Sequence, residues 1–199
     1  MTLIRQPAAL LRAALLIAAF AFSGALCALQ PGEARAQAAQ YYTMQEVVDA
    51  GHGFFGAASG ALASAVERIF AKNGMPNGYI LGQEAGAAFI GGLRYGEGRL
   101  YTKNAGDHMV YWQGPSAGFD VGVEGNRTMM LVYNLPSVDF VYNRFFGISG
   151  SAFAVGGLGV TVLGREGVNI VPISTGVGAR LGVNLGYLKM TRLPTNNPF

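Results

Sequence analysis

Cysteine, histidine and charged side chains are scarce in this sequence. One cysteine and two histidines occur among 199 residues, and 13% of the residues are charged. The cysteine, Cys27, lies in an N-terminal apolar run, so the rest of the chain can form no disulfide and no cysteine-based metal site. The histidines, His52 and His108, lie in different segments with no ligand motif around either, and we expect no metal.

The N-terminus has the pattern of a secretory signal peptide. Arg5 and Arg12 precede an apolar run over residues 13–29, and small residues then alternate up to Ala38. Because signal peptidase accepts only small side chains just before the cut, we predict cleavage after Ala36 or Ala38. The alternative is an uncleaved membrane anchor, but the run is close to the shortest length that spans a bilayer.

One domain remains after this leader. We predict a signal peptide over residues 1–38 and a single periplasmic domain over 39–199, which is long enough to bury a hydrophobic core. The leader holds three of the 14 basic and one of the 11 acidic residues, so the domain carries a net charge of +1. It has no basic stripe, which excludes nucleic acid as a partner. We also expect no transmembrane segment in the mature chain.

Glycine is abundant, with 30 residues, and it accompanies a pattern of period two. Apolar and polar residues alternate between residues 79 and 190, for example in "GFDVGVEG" (118–125) and "GVGARLGVNLGYLKM" (176–190). About eight such segments at close spacing predict a mainly β fold, a small antiparallel β-barrel. Turns are expected at Gly96–Gly98, Asn104–Gly106, Gly125–Asn126 and Arg165–Gly167.

Helical patterns occur in two places. Residues 43–73 form an amphipathic segment that opens with a capping-box spacing, Thr43 to Glu46, and we expect its glycines at 51, 53 and 56 to divide it into two helices. A short helix is predicted near 137–146. The many strand glycines indicate either a narrow, tightly coiled barrel or a helix, such as 43–73, lying across a glycine-rich face.

The segment "GDHMVYWQGPS" (106–116) concentrates aromatic and polar residues. We predict a strand from His108 to Gln113 between two turns, with Trp112 as a core anchor. A strand of this length keeps Ser116 away from His108, because extended residues rise about 3.3 Å each, so we expect no catalytic residue here. The candidate ligand or partner surface consists of Tyr111, Trp112, Gly114, Pro115 and Ser116.

A glycine pattern near the C-terminus resembles a cofactor-binding motif. "GVGARLG" (176–182) resembles a dinucleotide fingerprint, yet it lies in a period-two segment and has no acidic residue at the required distance. We therefore expect no cofactor.

Several runs resemble a known family. "LRYGEGRLYTKNAGDH" and "TMMLVYNLPSVD" are similar to secreted, glycine-rich proteins of Gram-negative bacteria, long a domain of unknown function and typified by the envelope integrity protein A. The resemblance covers nearly all of the mature chain. It implies a soluble periplasmic protein with a small antiparallel β-barrel that supports envelope integrity and stress resistance, without a known catalytic residue. A weaker similarity to SYLF lipid-binding domains follows the order of "YWQGPSAGFDVG" and "MMLVYNLPSVDFVY".

Three functions follow from these observations. The first is a non-enzymatic periplasmic barrel that supports the cell envelope. The second is a binding module for a lipid or a glycan fragment that uses residues 111–116, which would also serve as a mechanism for the first. The third is an envelope hydrolase, which lacks a catalytic constellation. A lipid or another envelope component is the expected partner class, and the sequence names no protein partner.

Overall fold

The computed structural model describes residues 40–56, 60–87, 93–115, 126–175 and 186–199. The chain divides into two units, Met1–Ala38 and Ala39–Phe199, and the described residues all belong to the second. The predicted signal peptide with both cleavage positions, Ser116, segment 118–125 and residues 176–185 lie outside the described residues.

Helices precede strands along the chain. The helices are α1 (Met44–Phe55), α2 (Leu62–Asn73) and α3 (Val138–Val141). The strands are β1 (Gly78–Ala87), β2 (Leu93–Thr102), β3 (Gly106–Pro115), β4 (Asn126–Tyr133), β5 (Arg144–Gly147), β6 (Phe153–Val155), β7 (Leu158–Val160), β8 (Leu163–Arg165), β9 (Val168–Thr175) and β10 (Tyr187–Thr191). Among the described residues, no helix is long and apolar enough to cross a membrane.

Eight strands close into an antiparallel barrel, as the sequence predicted. Neighbours pair in the order β9, β4, β1, β2, β3, β10, β5 and β8, and β8 pairs with β9 to complete the ring. The registers of β1 with β2 and of β2 with β3 each run over ten residue pairs. β7 and β6 extend the sheet from β9 as an additional hairpin.

The predicted capping box starts α1. The Thr43 hydroxyl accepts a hydrogen bond from the Glu46 backbone N–H, and the Glu46 carboxylate accepts one from the Thr43 backbone N–H at 2.7 Å. The predicted break into two helices occurs at Gly56, whose φ of 59° ends α1. Gly51 and Gly53 lie within the helix and do not divide the segment. Residue 51 is glycine because α2 packs so closely that the Leu62 side chain fills the space of a Cβ.

Both long helices cover one outer side of the barrel. The apolar residues between them and the sheet form an outer core, made of Val47, Phe55, Leu62, Ala65, Val66, Ile69, Met129, Leu131, Tyr133, Leu158, Val160, Val171 and Ile173. The helices therefore cover the apolar outer face of β4, β7 and β9 and not a glycine-rich face, which corrects one of the two interpretations of the strand glycines.

The barrel interior is packed with side chains. This inner core contains Ile80, Leu100, Val110, Trp112, Met130, Val132, Leu135, Val141, Phe145, Leu163, Val168, Ile170, Leu188 and Met190. On β4, inward Met130 and Val132 alternate with outward Met129 and Leu131, so this strand is apolar on both faces. A strand between two cores loses the simple alternation that identifies half-buried strands.

The helix expected near 137–146 is shorter than predicted. Only Val138–Val141 is helical, and Arg144–Gly147 is strand β5. The spacing of apolar residues suits a helix, but Phe145 points into the inner core while Phe146 is exposed, which is the alternation of a strand. Pairing with β10 and β8 supplies the backbone hydrogen bonds of β5.

The turn predicted at Gly96–Gly98 is also wrong, because these residues continue β2 without a break. The turns after β2 and after β8 form where expected, with Gly106 and Gly167 at positive φ. Gly96 and Gly98 differ from the turn glycines Gly106 and Gly167, because neither has a positive φ. They are glycine because neighbouring atoms inside the barrel lie too close for a Cβ.

Candidate functional site

The outer face of β1, β2 and β3 carries a regular grid of polar and aromatic residues. Opposite residues pair as Gln83 with Glu97 and Glu97 with Tyr111, which forms one row across the three strands. The adjacent row contains Ala85, Tyr95 and Gln113. Residues that are two apart on a strand share a face, so both rows point away from the inner core.

The C-terminal segment, residues 192–199, packs against this face. The Tyr95 hydroxyl donates to the carbonyl oxygen of Asn196 at 3.1 Å, and the Lys189 ammonium donates to that of Asn197 at 3.2 Å. Gln113 is only 1% exposed although it lies on the outer face of the barrel. The segment thus covers part of the grid and leaves the rest open.

A cleft of about 370 Å³ lies between the grid and the C-terminal segment. We call it the outer cleft. Its lining residues are Gln83, Glu84, Ala85, Tyr95, Gly96, Glu97, Tyr111, Trp112, Gln113, Pro194, Thr195 and Asn196. The volume lies in the range of about 300–1,000 Å³ that is typical of small-molecule sites. None of the described residues that line it is a lysine or an arginine.

Trp112 supports this region from inside the barrel. Its side chain is fully buried, and its Nε1 donates to the Glu84 carboxylate at 2.9 Å. The Arg94 guanidinium lies 3.8 Å from the other Glu84 oxygen, so the inward carboxylate is compensated by a donor and a cation. The indole lies over the inward faces of Gly82 and Gly96, where a Cβ would overlap it.

Two of the predicted surface residues, Tyr111 and Trp112, line the outer cleft. Tyr111 is partly buried on the outer face and lines the outer cleft, whereas the side chain of Trp112 lies in the inner core, as expected for a core anchor. Gly114 is buried where a Cβ would meet the carbonyl oxygen of Tyr187, and Pro115 ends β3. Ser116 lies outside the described residues.

Sequence reasoning missed most of the outer cleft. The interpretation of Gly96–Gly98 as a turn hides the common face of Tyr95 and Glu97, although the period of two continues from Leu93 to Thr102. That period was the signal that could have placed Tyr95, Glu97 and Tyr111 on one face. The contribution of residues 194–196 has no local sequence signal, since it depends on how the segment folds back.

The histidine considered for catalysis has a structural contact. His108 Nε2 lies 2.9 Å from the carbonyl oxygen of Ala105 in the turn between β2 and β3. Within the described ranges, no three His, Cys, Asp or Glu side chains come together as a metal site requires.

A second polar cluster joins α1 to the barrel. Lys103 pairs with the Glu46 carboxylate at 2.8 Å, and this hydrogen bond, together with that from the Thr43 backbone, lowers the pKa of Glu46 from 4.5 to about 2. Tyr42 and Tyr79 lie edge to face with ring centres 4.8 Å apart, and burial raises the pKa of Tyr42 to about 12. These residues are engaged with one another, so we assign the cluster a structural role.

The closed ring, the packed interior and the outer cleft define a small β-barrel protein whose accessible side chains lie mainly on its outer face. The sequence model of the family described as envelope integrity protein A matches residues 40–199. The chain therefore belongs to the envelope integrity protein A family, as the resemblance in the sequence implied. The family name associates it with the cell envelope.

A solved structure has the same architecture. The crystal structure of a β-barrel-like, uncharacterized protein from Brucella abortus is 60% identical in sequence, covers 80% of this chain and 99% of its own, and gives a TM-score of 0.75. At this identity the likeness supports the barrel. A search of curated proteins gave no significant match.

Proposed function

We propose that this protein is a non-enzymatic periplasmic protein that supports the integrity of the cell envelope and its resistance to stress. The observation that carries the proposal is the family match over residues 40–199. The match begins just after the predicted cleavage positions, Ala36 and Ala38, which supports a chain that is exported and then processed.

The packed interior indicates how such a protein would act. A barrel of eight strands either fills with side chains or encloses a ligand, and here buried apolar side chains occupy the inner core. Binding of an envelope component is therefore expected on the outer surface. Support of the envelope would come from contacts made there, without turnover of a substrate.

The experiment is deletion of the gene, with complementation from a plasmid. We expect the deletion strain to be more sensitive than its parent to detergent and to a drug that targets peptidoglycan, and the intact gene to restore resistance. A variant without residues 2–29, which cannot be exported, should fail to restore it. A deletion strain that tolerates both agents like its parent contradicts the proposed function.

Processing is tested separately by N-terminal sequencing of the exported protein. Cleavage after Ala36 gives a chain that starts at Gln37, and cleavage after Ala38 gives one that starts at Ala39. A chain that still starts at Met1 contradicts the signal peptide and favours an anchor.

The outer cleft favours a second, compatible function, a binding module for an envelope component. It includes Tyr111 and Trp112 from the predicted ligand surface and adds Tyr95 and Glu97 from the neighbouring strand. The same face and the same volume would accept either a lipid headgroup or a glycan fragment, and the charge and polarity of the lining decide between these two.

A further inference from the structure

We infer that the outer cleft binds a neutral, hydroxyl-rich saccharide. The inference rests on the proposed function in one respect, namely that a periplasmic protein would meet such a ligand in its compartment. Its structural basis is independent of that function, since it comes from the charge, the free polar groups and the aromatic rings of the cleft.

Charge disfavours an anionic ligand. Among the described residues that line the cleft, Glu97 presents its carboxylate on the outer face, and none is a lysine or an arginine. Glu84 is engaged by Trp112 and Arg94, whereas Glu97 is exposed and has no ion pair among the described residues. A phosphate or carboxylate ligand would lie beside the exposed Glu97 carboxylate, and like charges at close range are unfavourable. Lipid headgroups with a phosphate are therefore a poor fit.

Free polar groups favour a ligand with many hydroxyls. Within the described part of the chain, the side chains of Gln83, Glu97 and Tyr111 make no hydrogen bond to another residue. Together they offer carboxylate acceptors, an amide that both donates and accepts, and a phenolic hydroxyl. Sugar hydroxyls also donate and accept, so a saccharide can satisfy all three groups at once.

Aromatic rings supply the apolar part of the site. Tyr95 and Tyr111 lie on neighbouring strands in adjacent rows of the grid, a diagonal pair close enough for both rings to contact one ligand. Tyrosine presents an apolar ring with a polar tip, which suits a sugar ring that has an apolar face and polar edges. The hydrogen bond from Tyr95 to Asn196 fixes one of the rings before binding.

The C-terminal segment gives the site its second wall. Pro194, Thr195 and Asn196 line the cleft opposite the strands, and the contacts of Tyr95 and Lys189 hold this segment in place. A site that is formed before binding loses less entropy on binding than one that must be ordered by its ligand. The barrel strands provide the rigid side of this arrangement.

The test uses the protein purified without detergent and two uncharged probes, tetra-N-acetylchitotetraose and maltotetraose. Saturation-transfer NMR detects binding and titration calorimetry gives the Kd. We expect at least one probe to bind, and the Kd to rise about tenfold in each of two variants. Glu97→Gln replaces a charged acceptor with a neutral amide, and Tyr111→Phe removes a hydroxyl. Both residues are accessible on the outer face, so folding should be retained, which circular dichroism checks.

Glu67→Gln is the matched control. Glu67 is an exposed carboxylate on α2, on the side of the barrel that the helices cover, and its removal should leave the Kd unchanged. The inference is overturned if neither probe binds, or if the Kd is unchanged in both cleft variants. Binding of phosphatidylglycerol vesicles that Tyr111→Phe weakens would assign the cleft to a lipid headgroup and overturn it too.

Failure of this inference is distinguishable from failure of the proposed function. If the deletion strain is sensitive but neither saccharide binds, the protein supports the envelope through another surface. If a saccharide binds at the cleft and the deletion strain is as resistant as its parent, the site stands and the proposed function is wrong.

Discussion

At the scale of single residues, the lack of room for a Cβ inside the barrel explains three glycines of β1 and β2, Gly82, Gly96 and Gly98. A Cβ added to Gly96 would overlap the indole, and one added to Gly82 would lie 2.7 Å from Trp112 Cη2. The opposite strand backbone is equally close to Gly98. These positions therefore require glycine for space, since the strand conformation itself accepts any residue there.

We predict that Gly96→Ala lowers the free energy of unfolding by about 2–3 kcal/mol, because the new methyl group enters a packed interior that can yield only by shifting the indole. Urea unfolding followed by circular dichroism measures the effect. Gly53→Ala is the control, since a Cβ there meets nothing within 4 Å and the position is helical. It should stabilise by up to about 1 kcal/mol. Similar values for the two variants would contradict the packing argument.

The sequence predicted the burial of a residue correctly where the size and polarity of its own side chain determine whether it is buried. Trp112 was expected in the core and is fully buried, with Val110 on the same face. The role of Gly96 was missed, because a glycine needed for space and a glycine needed for a turn look alike in sequence. What distinguishes them is the residue opposite, and Trp112 lies directly opposite Gly96 only once the strands pair.

At the scale of elements, the start of α1 depends on a small electrostatic arrangement. The Glu46 carboxylate accepts hydrogen bonds from the Thr43 backbone and from Lys103, which extends from the turn after β2. The Lys103 ammonium also lies 5.0 Å from the centre of the Tyr42 ring. One lysine thereby joins the helix to the barrel.

We predict that Glu46→Gln lowers Tm by about 1–2 °C at neutral pH, a small effect because the carboxylate is largely exposed. Its pKa falls from 4.5 to about 2 on folding, so its contribution is complete above pH 4.5 and is lost as the pH decreases through about 2. The difference in Tm between the two proteins should therefore shrink between pH 4.5 and 2. Thermal melts across this range measure it.

Glu67→Gln provides the comparison for the pH series. This exposed carboxylate of α2 has no ion pair within the described ranges, and its removal should change Tm little at any pH. A Tm difference for Glu46→Gln that stays constant down to pH 2 would show that the carboxylate is not stabilised by folding.

Element prediction was better for helices than for strands. The capping box gives the start of α1, and the amphipathic segment 43–73 contains both α1 and α2. The sequence predicts helix where β5 lies, because this strand has only four residues. Phe145 and Phe146 point to opposite faces, but a run of four residues is too short to show a period of two. The sequence predicts a turn within β2, because its inward positions 96 and 98 are glycines. Without side chains there, the alternation of apolar and polar residues is not visible.

At the scale of the whole molecule, the sequence predicted the barrel but not how it closes. Composition and period indicated about eight strands, whereas closure depends on long-range pairs, such as β4 with β9 and β3 with β10. The fold-back of residues 192–199, which forms one wall of the outer cleft, is likewise a long-range event. These pairings bring distant segments together, and local patterns carry little information about them.

The two cores predict an order of local stability across the barrel. β4 pairs with β1 on one side and with β9 on the other, and its residues 129–132 are fully buried between the inner and outer cores. β6 pairs only with β7 among the described strands, and its three residues are partly exposed. Opening β4 requires disruption of both cores, whereas opening β6 breaks one short pairing, so the free energies of opening should differ.

Hydrogen–deuterium exchange measured by mass spectrometry tests this order within a single sample. We expect peptides from β4 and β9 to exchange most slowly, and those from β6 and from residues 192–199 to exchange at least about 100-fold faster, since a difference of roughly 3 kcal/mol in opening free energy corresponds to that factor. If β6 is protected as strongly as β4, the hairpin is held by contacts other than its pairing. If saccharide binding slows exchange in residues 192–199 while β4 is unchanged, the C-terminal segment is a wall of the binding site and not of the barrel.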